Sequence, residues 1–188
     1  MLQLLNKWWR INDKLPDRID VIAPISYGDT GSRLTTWSYE TISLAKKIAT
    51  EHREARIVFG SFSKNPTDDE EKRKKEFLAG MKTVYIGKVR STTDESEAII
   101  KELHPGETVV IIPVTEHAPR YRVVWKYLSR NTKTYFHPTK FIPGDKDNPM
   151  IIQRYSFIWL FINIALFPFY KFWPGVSWFA KKNFGQPT

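Results

Sequence analysis

Short apolar runs alternate with amphipathic segments along residues 17–138, and this alternation constrains the fold more than any other feature of the chain. Strands alternating with helices predict βαβ units, right-handed crossovers and a parallel sheet. We therefore expect an α/β fold, a Rossmann-like three-layer sandwich with a mostly parallel sheet and its fifth strand at an edge. The five runs predicted to be strands are residues 19–25, 55–60, 83–87, the run that begins at Val109, and 132–138.

The segments between these runs have helical spacing. Residues 37–52 form an amphipathic pattern, and residues 92–95 fit a Ser/Thr-x-x-Glu capping box ahead of a further apolar helix. The run at 63–76 holds acids first and bases later, an order that complements a helix dipole. Because its charges cancel, we interpret that run as a solvated helix face and predict no nucleic-acid partner. After a polar turn, apolar residues return at helical spacing at positions Tyr121, Val124, Trp125 and Leu128.

Four loops follow the first four predicted strands, at residues 26–33, 60–63, 90–95 and 115–120. In a parallel sheet such loops emerge at one edge, where ligands of these folds bind. They bring glycines, hydroxyls, helix N-termini and the cations Arg33, Arg90 and Arg120 together, which is the composition of an anion site. The alternative is that the pair Gly28 and Gly31 marks an ordinary turn.

Candidate roles follow from side-chain chemistry. Arg120 is a permanent cation that can clamp a phosphate bidentately, and His117 could donate to a phosphate or act as acid or base. Glu95 could orient either of them, and Thr93 could donate its hydroxyl. The alternatives are that Glu95 only caps its helix and that His117 only bonds the backbone of its turn. No metal is predicted, because the histidines are scattered without ligand spacing: His52, His104, His117 and His137.

The loops resemble those of the SanA/YdcF/ElyC-like family of bacterial envelope proteins, also called domain of unknown function 218 (DUF218). The matching stretches are residues 26–33, Gly60 with Ser61, Glu70 or Glu71, residues 91–96 and residues 115–120. The chain departs from the family pattern where Ser26 and Tyr27 replace glycines, where Gly60 and Ser61 stand in reversed order, and at Ser96 in place of Asn.

The resemblance implies a Rossmann-like domain tied to the cell envelope and to peptidoglycan and polyprenyl-phosphate metabolism, with S-adenosylmethionine as a cofactor of one member. It implies no defined reaction. Combined with the chemistry above, it gives His117 and Glu95 as catalytic candidates. The ligand-binding candidates are Gly28, Arg33, Ser61, Thr93 and Arg120.

The last segment, residues 151–188, differs in composition from the rest of the chain. It holds seven of the twelve Phe and three of the seven Trp, with basic but no acidic residues. Residues 155–170 carry no charge, but sixteen residues fall short of the ~20 that a comfortable spanning helix needs. We predict a membrane-associated tail, either a short or tilted span ending near Phe169 or a monotopic element in the headgroup layer. The alternative is a helix buried against a partner or in a homo-oligomer.

Two shorter segments complete the predicted organisation. Residues 1–16 are amphipathic and predict either a second interfacial contact or packing for the tail, and residues 139–150 form a Pro/Gly/Asp linker between the 17–138 domain and the tail. No export signal is recognisable, so the globular part is expected on the cytoplasmic side, where a net charge of +9 favours anionic lipid. The absence of cysteine excludes disulfide and thiolate chemistry.

The leading functional hypothesis is a membrane-associated envelope protein that binds a phosphorylated or nucleotide-like ligand, such as a polyprenyl-phosphate precursor. Hydrolysis or transfer of that ligand is an additional option. The alternatives are a non-catalytic module for S-adenosylmethionine or a nucleotide, and a membrane scaffold whose site has decayed.

Overall fold

Five parallel strands form one sheet in the computed structural model of the chain, which describes residues 9–62, 69–129 and 132–172. The strands are β1 (Val21–Pro24), β2 (Arg56–Phe62), β3 (Thr83–Val89), β4 (Thr108–Ile112) and β5 (Lys133–Phe136). Their order is β3-β2-β1-β4-β5, and every neighbouring pair is parallel. The predicted α/β fold, its parallel sheet and the edge position of the fifth strand are therefore confirmed.

Helices cover both faces of the sheet. Residues of α1 and those just after α2 pack on one face, whereas α3 and α4 pack on the other. The helices are α1 (Thr36–Glu51), α2 (Asp69–Phe77), α3 (Thr92–Lys101), α4 (Ala118–Leu128) and α5 (Ser156–Phe172), with a 3₁₀ turn at Ile151–Gln153.

The apolar strands supply both layers of the core. In β4, Val109 and Ile111 belong to the α3/α4 layer, while Val110 and Ile112 belong to the α1/α2 layer. Side chains alternate along a strand, so a strand covered on both faces must be apolar throughout. This explains why the central strands read as uninterrupted apolar runs.

Helix α5 packs onto the α/β domain, although the sequence predicted residues 151–188 as a separate tail. Trp159 and Leu160 are buried, and the Trp159 ring lies 6.2 Å from that of Trp37 in α1. No helix in the described ranges is long and apolar enough to cross a membrane. Residues 173–188 lie outside the part of the chain described.

The segments predicted as linker and N-terminal appendage are also tied to the domain. Asp145 accepts two hydrogen bonds from Arg33 and one from the backbone N–H of Thr36. Trp9 donates its indole N–H to the carbonyl oxygen of Glu116 at 3.0 Å, and its ring lies 5.1 Å from that of Phe167 in α5. Of the two predictions for residues 1–16, packing against the tail thus holds for Trp9, and residues 1–8 lie outside the described range.

Candidate anion-binding site

A cavity of about 170 Å³ lies at the carboxyl edge of the sheet, and each of the four predicted loops contributes to it. This edge includes the point between β1 and β4 where the strand order reverses, which is where such sheets bind ligands. Helix α5 and the 3₁₀ turn form the roof. Loop residues in the lining include Ser26, Phe62, Thr92, Glu95, His117 and Arg120.

Arg120 dominates the electrostatics of this cavity. Its side chain is buried, with the residue 7% exposed, and it forms no ion pair with any carboxylate in the described residues. Its Nε atom has no hydrogen-bond partner there either. The guanidinium carbon lies 5.3 Å from the ring centre of Trp159 and 5.4 Å from that of Tyr170, both in α5. Burial lowers the pKa of Arg120, but a guanidinium stays charged at any physiological pH.

His117 holds Arg120 in place. The Arg120 Nη2 donates to His117 Nε2 at 2.8 Å, and since arginine can only donate, Nε2 must be the unprotonated ring nitrogen. The proton then resides on Nδ1, which lies 3.0 Å from the hydroxyl of Tyr27. Burial, together with the charge of Arg120, lowers the pKa of His117 well below its ordinary value. His117 is therefore neutral and bonds side chains rather than the backbone of its turn.

Glu95 lines the cavity because helix α3 begins one residue earlier than the predicted capping box. Ser91 is the N-cap, and its hydroxyl accepts from the backbone N–H of Asp94. Glu95 therefore takes no part in the helix cap, and its carboxyl oxygen accepts a hydrogen bond from the backbone N–H of Ser26 at 2.9 Å. It orients neither His117 nor Arg120 by a hydrogen bond, in contrast to the prediction. Burial raises its pKa to about 8, so the carboxyl group is mostly neutral at pH 7.

A buried ion pair from α2 lies close to the cavity and was missed by the sequence analysis. Lys74 and Glu70 are fully buried and pair at 2.7 Å, although the run 63–76 was predicted to be a solvated face. Lys74 also donates to the hydroxyl of Ser26 and to the carbonyl of Gly60, each at 2.9 Å. Spacing could have revealed this, because positions 70, 74, 77 and 78 share one helical face on which the last two are apolar.

The contact between Lys74 and Ser26 resembles a serine–lysine pair, but its hydrogen bonds favour a structural role. Lys74 is paired with Glu70, and Ser26 donates its own proton to the carbonyl of Gly60 at 2.8 Å. A nucleophilic serine needs a base to accept that proton. Here the proton is already directed to a backbone carbonyl, so the geometry orients the loop after β1.

Four other predicted ligand residues lie outside the cavity lining. Arg33 binds Asp145 and Asp147, at 2.7 and 3.1 Å, and so ties the 139–150 segment to the domain. Gly28 adopts a φ of 95°, a backbone conformation that favours glycine. Ser61 bonds the hydroxyl of Tyr85 at 2.7 Å. Thr93 is buried, and its neighbour Thr92 lines the cavity in its place.

Four aromatic residues in the lining were not predicted as site residues, namely Tyr27, Phe62, Trp159 and Tyr170. Tyr27 occupies a position where the resembled family has glycine, and Trp159 and Tyr170 belong to the segment predicted as a membrane tail. Their aromatic character is equally typical of a core, so no local signal marked them.

Within the described residues, no three His, Asp or Glu side chains come together in a way that could hold a metal ion. No protein-family model, curated protein or solved structure matches the chain. The assignment of function therefore depends on the geometry of the cavity.

Proposed function

We propose that this protein binds a phosphorylated anion in the cavity beneath α5, with Arg120 as the anchor. The observation that carries this proposal is a buried guanidinium without a carboxylate partner among the described residues. An uncompensated buried charge costs several kcal/mol, on the order of the penalty seen when one partner of a buried pair is removed. A fold that keeps such a charge facing a cavity is suited to an anionic ligand.

A phosphate group fits the remaining donors better than a carboxylate does. Ser91 and Thr92 line the cavity at the N-terminus of α3, where the helix dipole favours negative charge. The Thr92 hydroxyl donates to His117 Nε2 at 3.1 Å, which leaves the Ser91 hydroxyl as a donor for the ligand. The neutral forms of His117 and Glu95 place no anion against the ligand near pH 7. Arg120 and the Ser91 hydroxyl can then donate to different terminal oxygens of a phosphomonoester.

The size of the cavity favours a phosphate head group over a whole nucleotide or S-adenosylmethionine. Its volume is about 170 Å³, whereas pockets for drug-sized ligands have about 300–1,000 Å³. A lipid phosphate, with only its head group enclosed, meets this limit. The cavity volume therefore supports a lipid phosphate, and the family resemblance favours a polyprenyl phosphate among these lipids.

Should the bound phosphate ester also be cleaved or transferred, Glu95 rather than His117 is the candidate to move the proton. The Nε2 of His117 accepts from Arg120 and Nδ1 faces Tyr27, so both ring nitrogens are engaged. Glu95 has a pKa of about 8, near the pH at which a general acid or base works well. Release of inorganic phosphate by the wild type and not by Glu95→Gln would support this additional activity.

The outer face of α5 supports the membrane part of the proposal, in the form of an amphipathic helix lying on anionic lipid. Basic Arg154 and Lys171 border an exposed apolar strip, and residues 150–188 contain no acid. Such a surface is complementary to anionic headgroups. A second copy of the chain would bring like charges together, since the net charge is +9. The exposed strip consists of Phe157, Ile158, Phe161, Phe169 and Phe172.

Calorimetric titration tests the anion site. Inorganic phosphate and a short-chain alkyl phosphate should bind the wild type and should lose at least tenfold in affinity with Arg120→Met. Arg122→Met is the matched control, because Arg122 lies on the same helix but pairs with Asp13 outside the cavity. Equal phosphate affinity in the wild type and Arg120→Met would reject the proposal, and acetate distinguishes a phosphate site from a general anion site.

Co-sedimentation with vesicles tests the lipid surface separately. The double variant Phe157→Ser, Phe161→Ser should bind vesicles containing anionic phosphatidylglycerol severalfold more weakly than the wild type. Tyr127→Ser is the control, because Tyr127 is exposed to a similar degree (44%, against 49% for Phe157) but belongs to α4. Unchanged vesicle binding by the double variant would contradict docking through this face.

A further inference from the structure

The roof of the cavity contains a second buried donor without a partner, in addition to Arg120. The indole Nε1 of Trp159 has no hydrogen-bond partner in the described residues, although Trp159 is only 5% exposed. Buried indole N–H groups usually find an acceptor. Leaving a buried polar group unsatisfied costs about 1–3 kcal/mol. Trp159 also lines the same cavity as Arg120.

The side chains that carry these two donors pack against each other. The guanidinium carbon of Arg120 lies 5.3 Å from the ring centre of Trp159. Two hydrogen bonds of about 2.9 Å to a single oxygen join donors up to roughly 6 Å apart, and two oxygens of one phosphoryl group reach further. One phosphoryl group bound beside these two side chains can therefore accept from both of them.

We propose that Trp159 is the second anion donor of this site, so that a ligand oxyanion is held between Arg120 on α4 and Trp159 on α5. This inference rests on the proposed function and adds a residue that sequence analysis assigned to a membrane tail. It gives α5 a direct part in recognition. Its inner face supplies a hydrogen bond to the ligand, and Trp159 and Tyr170 place their rings against the anchoring guanidinium.

The arrangement also defines the chemistry of the ligand. Trp159 and Arg120 can only donate, so the ligand atom that contacts both must accept two hydrogen bonds. The positive charge of Arg120 favours an ionised phosphoryl or carboxylate oxygen over a neutral acceptor, and an ammonium group, which has no lone pair, cannot meet the requirement.

Trp159→Phe in the full-length chain tests the inference, because it removes the N–H and keeps an aromatic ring over Arg120. A hydrogen bond to a charged group contributes about 1.5–3 kcal/mol, so the affinity for inorganic phosphate should fall about tenfold or more. Trp37→Phe is the matched control, since the Trp37 indole donates to the carbonyl of Ile142. That variant should keep phosphate affinity within about twofold of the wild type, which is under ~0.5 kcal/mol.

Proton–nitrogen NMR of the wild type provides a second measurement that does not depend on a variant's folding. The indole resonance of Trp159 should move markedly as phosphate is added, while that of Trp37 should stay in place. An unmoved Trp159 resonance in saturating phosphate, or unchanged affinity in a folded Trp159→Phe, overturns the inference. Loss of binding in Arg120→Met would still sustain the proposed function, whereas a wild type that binds no phosphate overturns both.

Discussion

At the scale of single residues, Arg120 and Glu95 show how burial changes the behaviour of a charged group. Both line the cavity, yet they respond to it differently. The guanidinium keeps its proton and remains a cation, whereas burial raises the pKa of the Glu95 carboxyl to about 8. At neutral pH the pair therefore carries a net positive charge. Under the proposed function this charge makes the site selective for anions, and the selectivity should weaken once Glu95 ionises.

Replacement of Glu95 by Gln should alter the pH dependence of stability. The folded-state pKa of about 8 lies above the ordinary glutamate pKa of 4.5, so unfolding releases a proton between these values. Stability must therefore fall as pH rises from about 5 to about 8. Glu95→Gln keeps the acceptor for the Ser26 N–H and lacks this titration.

Urea unfolding at pH 5, 6.5 and 8 would measure the effect. The stability of Glu95→Gln relative to the wild type should increase with pH, by on the order of a few kcal/mol, since one pKa unit corresponds to about 1.4 kcal/mol. Glu116, with a pKa raised to about 7 by burial, titrates in both proteins and cancels in the comparison. A difference that is constant across the range would contradict the assigned shift.

At the scale of secondary-structure elements, α2 contains i, i+4 ion pairs that lie in opposite environments. Glu70 and Lys74 are buried under the loop after β1, whereas Glu71 and Lys75 pair at the surface. The buried pair bonds Ser26, Gly60 and the backbone of Phe62, so it fixes the loops that line the cavity. Composition alone does not distinguish the two pairs.

Matched substitutions in α2 should separate these environments. Lys74→Met leaves Glu70 buried without its cation and should cost about 3–5 kcal/mol of unfolding free energy. Lys75→Met removes an exposed partner and should change it by about 0.5 kcal/mol or less. The double variant Glu70→Gln, Lys74→Met should recover part of the loss, because no charge remains buried. Similar losses in the two single variants, measured by urea unfolding, would refute the distinction.

The sequence predicted elements more reliably than contacts. Uninterrupted apolar runs such as 109–113 identified the parallel strands, because a strand buried on both faces leaves little choice of residue. The sequence placed the loops that carry Ser26, Phe62, Thr92 and His117 at one sheet edge, because topology alone brings them there. Individual site contacts were missed where the outcome depends on packing. Because Ser91 is the N-cap of α3, Glu95 is not part of the cap and lines the cavity instead. Asp145, which is distant in sequence, binds Arg33 outside the cavity lining.

At the scale of the whole molecule, α5 connects the basic, aromatic C-terminal segment with the mixed-charge α/β domain. One face carries Trp159 and Tyr170 over Arg120, and the other exposes an apolar strip. The sequence could not show this, because an aromatic helix next to lysines is equally typical of a lipid surface and of a roof over a domain. A helix with two apolar faces can cover the domain with one face and contact lipid with the other. Because α5 packs on the domain and also lines the cavity, ligand binding should be linked to the stability of the entire fold.

Thermal unfolding of the full-length protein should display this linkage. A ligand present at 100 times its dissociation constant adds about 2.7 kcal/mol to stability, which corresponds to a rise of about 5–10 °C in Tm for a chain of this size. Phosphate should therefore raise the Tm of the wild type relative to chloride at equal ionic strength. Arg120→Met should abolish this rise, because the anion has lost its anchor.

The same variant should unfold at a higher temperature than the wild type in chloride alone. Methionine fills much of the arginine volume without a buried charge, and replacing buried ionic groups by apolar ones often stabilises a fold by about 1–4 kcal/mol. Arg122→Met, which breaks a partly exposed pair with Asp13, should show no such gain and should retain the response to phosphate. If Arg120→Met is less stable than the wild type in chloride, then Arg120 supports the fold rather than a ligand, and the function assigned to it fails.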